Sequence, residues 1–217
     1  MPSLKPIVLY THGNAPNPLK VAIILKELNV PYESENVPLD ELKQEPFESI
    51  NPNGRLPAIK DPNTGLTVWE SGAIVEYLLE KYDHNLRLSF SRGSPEYFEA
   101  KQWLFFQVSG QGPYFGQAAW FTLFHPEKIQ SAKARYVNEI RRVTGVLNRV
   151  LKDKKYLVGD SCSYADISFL PWYGVVPKLF TEEVKLEEDF PHVSQWLERI
   201  HGRECVREAV EEFARNA

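Results

Sequence analysis

Cysteine is nearly absent: Cys162 and Cys205 are the only two in 217 residues, far apart and with no CxxC pair. Neither a disulfide framework nor a dithiol redox centre is encoded, and both are expected as free thiols. The five histidines are scattered. His201 and Cys205 fall about one helical turn apart, but two ligands do not make a zinc site, so no metal is expected. No apolar run approaches the ~20 residues of a membrane span. Met1 to Tyr10 lacks the long apolar region and small-residue cleavage site of a signal peptide. Blocks of lysine or arginine are missing too, and a net charge of −4 offers no electrostatic footprint for nucleic acid or an anionic membrane. These absences leave a cytoplasmic globular protein as the expectation, 43% hydrophobic and long enough for two compact cores.

What is present is organised around Asn51 to Lys81, which reads as turn, strand, turn, strand, helix. Ala58-Ile59 and Leu66 to Trp69 are short apolar runs separated by Asp61-Pro62-Asn63-Thr64-Gly65, where proline presets φ and glycine tolerates φ > 0. Two antiparallel strands are expected. Ser71 precedes a helical pattern in Ala73, Ile74, Tyr77 and Leu78, which makes it a natural N-cap. A helix opening directly after a strand turns unpaired N–H groups and its positive dipole end outward, and so suits a carboxylate. Glu70, one residue earlier, could hold a cationic amine beside it. The plainer alternative is that Ser71 only caps and Glu70 only meets solvent. Leu56-Pro57 lies between a polar turn and a strand, where proline belongs at the strand's start. A cis bond there would turn the Leu56 backbone outward, free to pair with an extended peptide.

Upstream, Ile7 to Tyr10 is a continuous apolar run, read as a buried strand that ends in Thr11-His12-Gly13-Asn14. Ala15-Pro16-Asn17-Pro18 leads into a helix with Val21, Ile24, Leu25 and Leu28 at helical spacing. Asn17 is expected as its N-cap and Pro18 as its first helical position. Val30 to Val37 suggests a second strand, and Leu39 to Phe47 a short irregular helix. This order fits a thioredoxin-like α/β domain over residues 1–82. Residues 83–95 are polar and aperiodic, as in a linker. Residues 96–217 read as an all-helical domain, in which GQGPYFG is expected to kink or break a helix. Ser163 and Asp166 form a capping-box pattern at the head of a further helix.

NPNGRLPAI followed by WESGAI resembles the glutathione-binding half of the glutathione transferase superfamily. The stretch from Tyr156 to Asp166 resembles the folding motif of that superfamily's helical domain, so the likeness covers nearly the whole chain. It implies the cytosolic glutathione transferase fold, α/β plus all-α, with Glu70 and Ser71 at the γ-glutamyl end of glutathione. Leu56, before Pro57, would pair with the cysteinyl unit. NAPNPLKVAIILKEL is most similar to the fungal class related to the yeast nitrogen-catabolite regulator, and to bacterial Nu-class relatives. In that class an asparagine contacts the glutathione sulfur, and Asn17 is the match. Tyr10 is the rival donor, and Thr11, His12 and Asn14 share the required position at the first strand's end. Pro18 departs from the class's usual glycine, Ala15 lacks the hydroxyl of the bacterial relatives, and Leu56 replaces valine or isoleucine. Lys43, or Arg55, would pair with the glycine carboxylate. A hydrophobic electrophile would meet Tyr114, Phe115, Gln117, Trp120 and Trp172.

The implied protein is a homodimeric glutathione transferase with glutathione as co-substrate and no metal. Alternatives on the same site are glutathione-dependent reduction of disulfides or peroxides, a dedicated biosynthetic step, and a non-catalytic glutathione-binding regulator.

Overall fold

Four strands, β1 (Ile7–Thr11), β2 (Tyr32–Asn36), β3 (Ala58–Asp61) and β4 (Leu66–Trp69), form one sheet in the order β2-β1-β3-β4. They belong to a computed structural model that describes residues 4–215. β1 pairs parallel with β2, Ile7 facing Tyr32, and antiparallel with β3, Tyr10 facing Ala58. β3 pairs antiparallel with β4. A parallel neighbour requires a crossover, which α1 (Pro16–Glu27) supplies. The β3–β4 reversal is the expected one: Gly65 N–H bonds Asp61 O at 2.8 Å, with Gly65 at φ 75. Asp61 Oδ1 accepts from Asn63 N–H at 2.8 Å, while Oδ2 takes the hydroxyls of Tyr77, at 2.6 Å, and Tyr82. Both tyrosines belong to α2 (Ser71–Tyr82), so one buried carboxylate fixes hairpin to helix.

Side chains alternate across the sheet. Val8 and Tyr10 share one face with Val37, Phe47, Ala58 and Leu56, leaving Ile7 and Leu9 to the face that α1 and α2 cover. The segment Leu39–Phe47, expected as a short helix, is instead a run of turns. Its bonds close over three residues, as in Glu41 N–H to Pro38 O and Gln44 N–H to Glu41 O, both at 3.1 Å. Pro46 explains the outcome, because the residue before a proline is pushed out of the helical region.

The chain divides into two units, one holding residues up to Ser89 together with those from Arg203 onward, the other Phe90–Gly202. The last helix, α10 (Glu204–Arg215), therefore packs with the sheet unit, where sequence placed it in the helical domain. Glu27 of α1, 1% exposed, receives Arg203 Nε at 2.6 Å and Nη2 at 2.8 Å. Val206, Ala209 and Phe213 bury α10's apolar face. The stretch expected as a linker begins as an ordered turn: Asp83 accepts the N–H groups of Arg87, Leu88 and Ser89 at 2.7, 2.9 and 2.8 Å.

The second unit contains α3 (Pro95–Phe106), α4 (Gly112–Leu123), α5 (Gln130–Val150), α6 (Tyr164–Tyr173), α7 (Val176–Leu179), α8 (Leu186–Asp189) and α9 (Pro191–His201). Where a break was expected, α3 passes into α4 through one π-helical turn, Gln107–Gln111. Gln111 Nε2 donates to Phe169 O at 3.0 Å and Gln111 Oε1 accepts from Gln107 Nε2 at 3.0 Å, so two buried amides are tied to each other and to α6. The capping box at α6 is present. Asp166, wholly buried, accepts Ser163 N–H, Ser163 hydroxyl, Leu157 N–H and the indole N–H of Trp196, each at 2.9 Å. Burial pushes its carboxyl above the usual range while these donors pull it back.

Asp166→Ala would strand three buried N–H donors at ~1–3 kcal/mol each, so a loss of at least ~3 kcal/mol is expected in denaturant unfolding.

Candidate functional site

Two successive antiparallel pairings make β4 run with β1, so α1 and α2 begin at the same edge of the sheet. β3 runs oppositely and starts at that edge, bringing Arg55, Leu56 and Pro57 there as well. The strand order alone collects the stretches singled out from the sequence, at the carboxyl ends of parallel strands where open α/β sheets bind ligands.

The Leu56-Pro57 bond is cis. Among the described residues no backbone group outside the sheet ladders pairs with the N–H or carbonyl of Leu56, and Leu56 lies outside those ladders. Both groups can meet an extended chain laid alongside. The turn before it is held by Asn51, whose Nδ2 bonds Arg55 O at 2.6 Å and whose Oδ1 accepts Asn53 N–H at 3.0 Å. Gly54, at φ 59, is required here, because a Cβ would lie 2.7 Å from Leu42 O. The Lys43 Cγ lies 2.9 Å from that same point, so this exposed lysine rests on the turn, with exposed Arg55 next in the chain.

Helix α1 starts two residues earlier than expected. Ala15 is its N-cap and Pro16 its first helical position, so Asn17 lies inside the first turn and is not the cap. Both prolines fit there: neither Pro16 nor Pro18 has an N–H, and first-turn N–H groups have no helical partner anyway. Asn17 is half-buried and one turn before Lys20, on the same face. His12 Nδ1 lies 2.9 Å from Val37 O, Asn14 is exposed, and Thr11 is buried with its hydroxyl unpartnered among the described residues. Tyr10, the rival donor, is a core residue: it is 4% exposed and edge-to-face with Phe47 at 5.7 Å.

Ser71 is likewise not the N-cap of α2. Glu70 holds that place, at φ 70 and ψ 116, and makes no side-chain cap bond. A non-glycine residue held there costs ~1–3 kcal/mol, which the surrounding fold must impose. Asn53 Nδ2 reaches Glu70 Oε1 at 3.4 Å, tying the Asn51 turn to the start of α2. Ser71, displaced to the first helical position, is 6% exposed, and its Oγ accepts Lys20 Nζ at 2.9 Å. Lys20 has no exposed surface. Burial drives its pKa down to about 7, partly opposed by the charge of Glu70. Sequence reasoning passed over this lysine, although the signal was available: Lys20 is one turn before Ile24, on the stripe that α1 buries.

The aromatic residues assigned to an electrophile pocket all lie in the second unit but do not share a face. Phe115 is wholly buried, edge-to-face with Tyr173 at 5.5 Å, and is a core residue. Tyr114 turns to the Arg142 guanidinium at 5.8 Å. Gln117 and Trp120 are exposed, Trp120 beside Phe124 at 5.8 Å. Trp172 is half-buried over α4, 3.3 Å from where a Cβ on Gly116 would stand. Among the described residues no group of three or more His, Cys, Asp or Glu could hold a metal ion, and no helix is long and apolar enough to cross a membrane.

Two family descriptions match: "Glutathione S-transferase, N-terminal domain" over residues 5–80 and "Glutathione S-transferase, C-terminal domain" over residues 113–204. A relative from Aspergillus fumigatus, "Glutathione S-transferase-like protein tpcF", is 51% identical over 97% of both chains. The Phanerochaete chrysosporium glutathione transferase URE2P6, solved with oxidized glutathione, superposes with a TM-score of 0.94 at 45% identity over 98% of both chains. Ure2p5 of the same fungus, cocrystallized with 1-(S-glutathionyl)-2,4-dinitrobenzene, gives 0.89 at 40% identity over 97% of this chain and 96% of that one.

Removing the buried charge with Lys20→Met should raise the thermal midpoint by a few degrees near pH ~6. The unfolded lysine holds its proton up to its ordinary pKa and the folded one only to about 7. The wild type should therefore gain on the variant as pH rises toward ~10, as followed by circular dichroism.

Proposed function

Since the chain belongs to the glutathione S-transferase family, we propose that it is a glutathione transferase that activates the glutathione thiol for attack on a hydrophobic electrophile. The observation that carries this reading is the meeting of three complementary groups at one sheet edge: the outward Leu56 backbone, the Glu70-Ser71 pair, and the starts of α1 and α2. Each answers a part of the tripeptide. The γ-glutamyl α-carboxylate meets the Ser71 hydroxyl and the first N–H groups of α2, and its α-amine meets Glu70. The cysteinyl unit pairs with Leu56 as an added strand. Lys43 or Arg55, both exposed beside that strand, takes the glycine carboxylate.

The sulfur then comes to the start of α1. A free thiol has a pKa near ~8.5 and is a poor nucleophile, whereas a donor and a helix N-terminus favour the thiolate. Asn17 supplies that donor. Its amide can give an N–H to sulfur, and each unit by which the thiol pKa falls is worth ~1.4 kcal/mol. The electrophile is apolar, and the cocrystallized dinitrobenzene conjugate of the Phanerochaete relative supports a flat aromatic class. Of the aromatic residues assigned to it, Trp120 is exposed and Tyr114 and Trp172 are half-buried. A glutaredoxin-like mechanism through a protein cysteine is not part of this reading, because the β1–α1 junction carries no cysteine. The protein is proposed to act as a homodimer.

Titrating bound glutathione by thiolate ultraviolet absorbance tests the proposal. The apparent pKa should fall at least ~1 unit below the free value and move back upward in Asn17→Ala. An unshifted thiol would favour a carrier or regulator. Ser71→Ala should weaken glutathione binding at least ~10-fold in calorimetry, and unchanged affinity would overturn the site. Assaying an aryl halide, a hydroperoxide and a mixed disulfide side by side separates conjugation from reduction.

A further inference from the structure

A lysine without exposed surface is uncommon, because the ammonium loses hydration that few buried partners replace. Lys20 is such a residue, and its Nζ lies 2.9 Å from Ser71 Oγ. The direction of that bond depends on one proton. An ammonium has only donors, so it gives to Oγ and leaves Ser71's own O–H to point at a ligand. A neutral amine carries a lone pair, which competes for the Ser71 proton and turns the hydroxyl inward.

We propose that Lys20 is a positioning residue for the α-carboxylate of glutathione: as a cation it holds Ser71 in the donating orientation, and binding is therefore coupled to protonation of Lys20. The proposal rests on the glutathione reading of this site. Around Lys20, Glu70 is the charged group whose field acts on it. From α2, Ser71 faces it and Glu76 follows more than a turn later, while β1 carries Tyr10 as its one ionisable side chain. From α10, Glu208 and Glu212 pair with Lys26 further along α1, and Arg203, just before that helix, pairs with Glu27. A carboxylate bound at Ser71 adds a second negative charge near Nζ and pulls the lysine's pKa back up. Above the ligand-free value of about 7, binding must then take up a proton. Affinity is flat at lower pH and falls as pH rises, approaching ~10-fold per unit.

S-methylglutathione is the probe, because its sulfur cannot titrate. Calorimetry on the full chain between pH ~6 and ~8.5, in two buffers of different ionisation enthalpy, should show net proton uptake in the upper half of the range. Affinity should weaken at least ~5-fold across it. Lys20→Met, with its fold verified by circular dichroism, should bind more weakly at the low end and show a flatter profile than wild type. Tight binding by the wild type without proton uptake would overturn the role of Lys20 and leave the glutathione site standing. A slope equal in wild type and variant would do the same. Absence of binding at every pH would overturn both.

Discussion

The running of β4 alongside β1 is the constraint on which the site depends. Neither strand touches the other, and β3 between them sets their common direction by pairing antiparallel with each. A register slip of one residue would turn every side chain to the opposite face, so the buried set Leu9, Ile59 and Ala58 holds the arrangement firmly. Once it is held, α1 and α2 start side by side, and the chain that enters β3 arrives between them. The Asp61 carboxylate, gripping two hydroxyls of α2, secures the far end of the same hairpin. The candidate site and the structural anchor thus lie at opposite ends of two short strands.

Much of this was legible in the sequence because local chemistry and tertiary role agreed. The turn at Asp61–Gly65, the cis bond at Leu56-Pro57 and the capping box at Ser163 each rest on residues whose backbone or hydrogen-bonding needs admit few alternatives. Apart from the segment that Pro46 keeps from being helical and the shifted starts of α1 and α2, the failures share one physical origin: a helical pattern tells which face is buried and not what buries it. Helix α10 shows a clear apolar face in Val206, Ala209 and Phe213, but it is the ion pairs of Glu208 and Glu212 with Lys26, and of Arg203 before the helix with Glu27, that tie it to α1. Phe115 and Tyr10 were read as functional aromatics and are core, since an aromatic side chain looks the same in sequence whether it fills a cavity or lines one.

Lys20 illustrates the opposite case, in which sequence offered a conflict that only the structure explains. A cation on the buried stripe of α1 works against folding, yet it stands in contact with Ser71. Glu70 adds a second conflict with its left-handed φ. Two locally unfavourable residues, one bonded to Ser71 and the other immediately before it, mark this edge as the place where local stability rules are broken, as they are at functional sites.

The displacement of Ser71 and Asn17 from the cap positions matters for the same reason. A serine at the N-cap turns its oxygen to the helix's own second or third N–H, and an asparagine does likewise. Where only stability is at stake the chain follows that rule: Ser94 accepts Tyr97 N–H at 3.2 Å at the head of α3, and Ser163 caps α6. At α1 and α2 the caps are Ala15 and Glu70, and neither makes a side-chain cap bond. The polar residues have moved one or two places into the first turn, so neither occupies the N-cap of its own helix. First-turn N–H groups of α1 and α2 are thus left without a side-chain cap at one end of the sheet. Uncapped helix starts of this kind suit an anionic group, which is the feature the proposed glutathione site draws on.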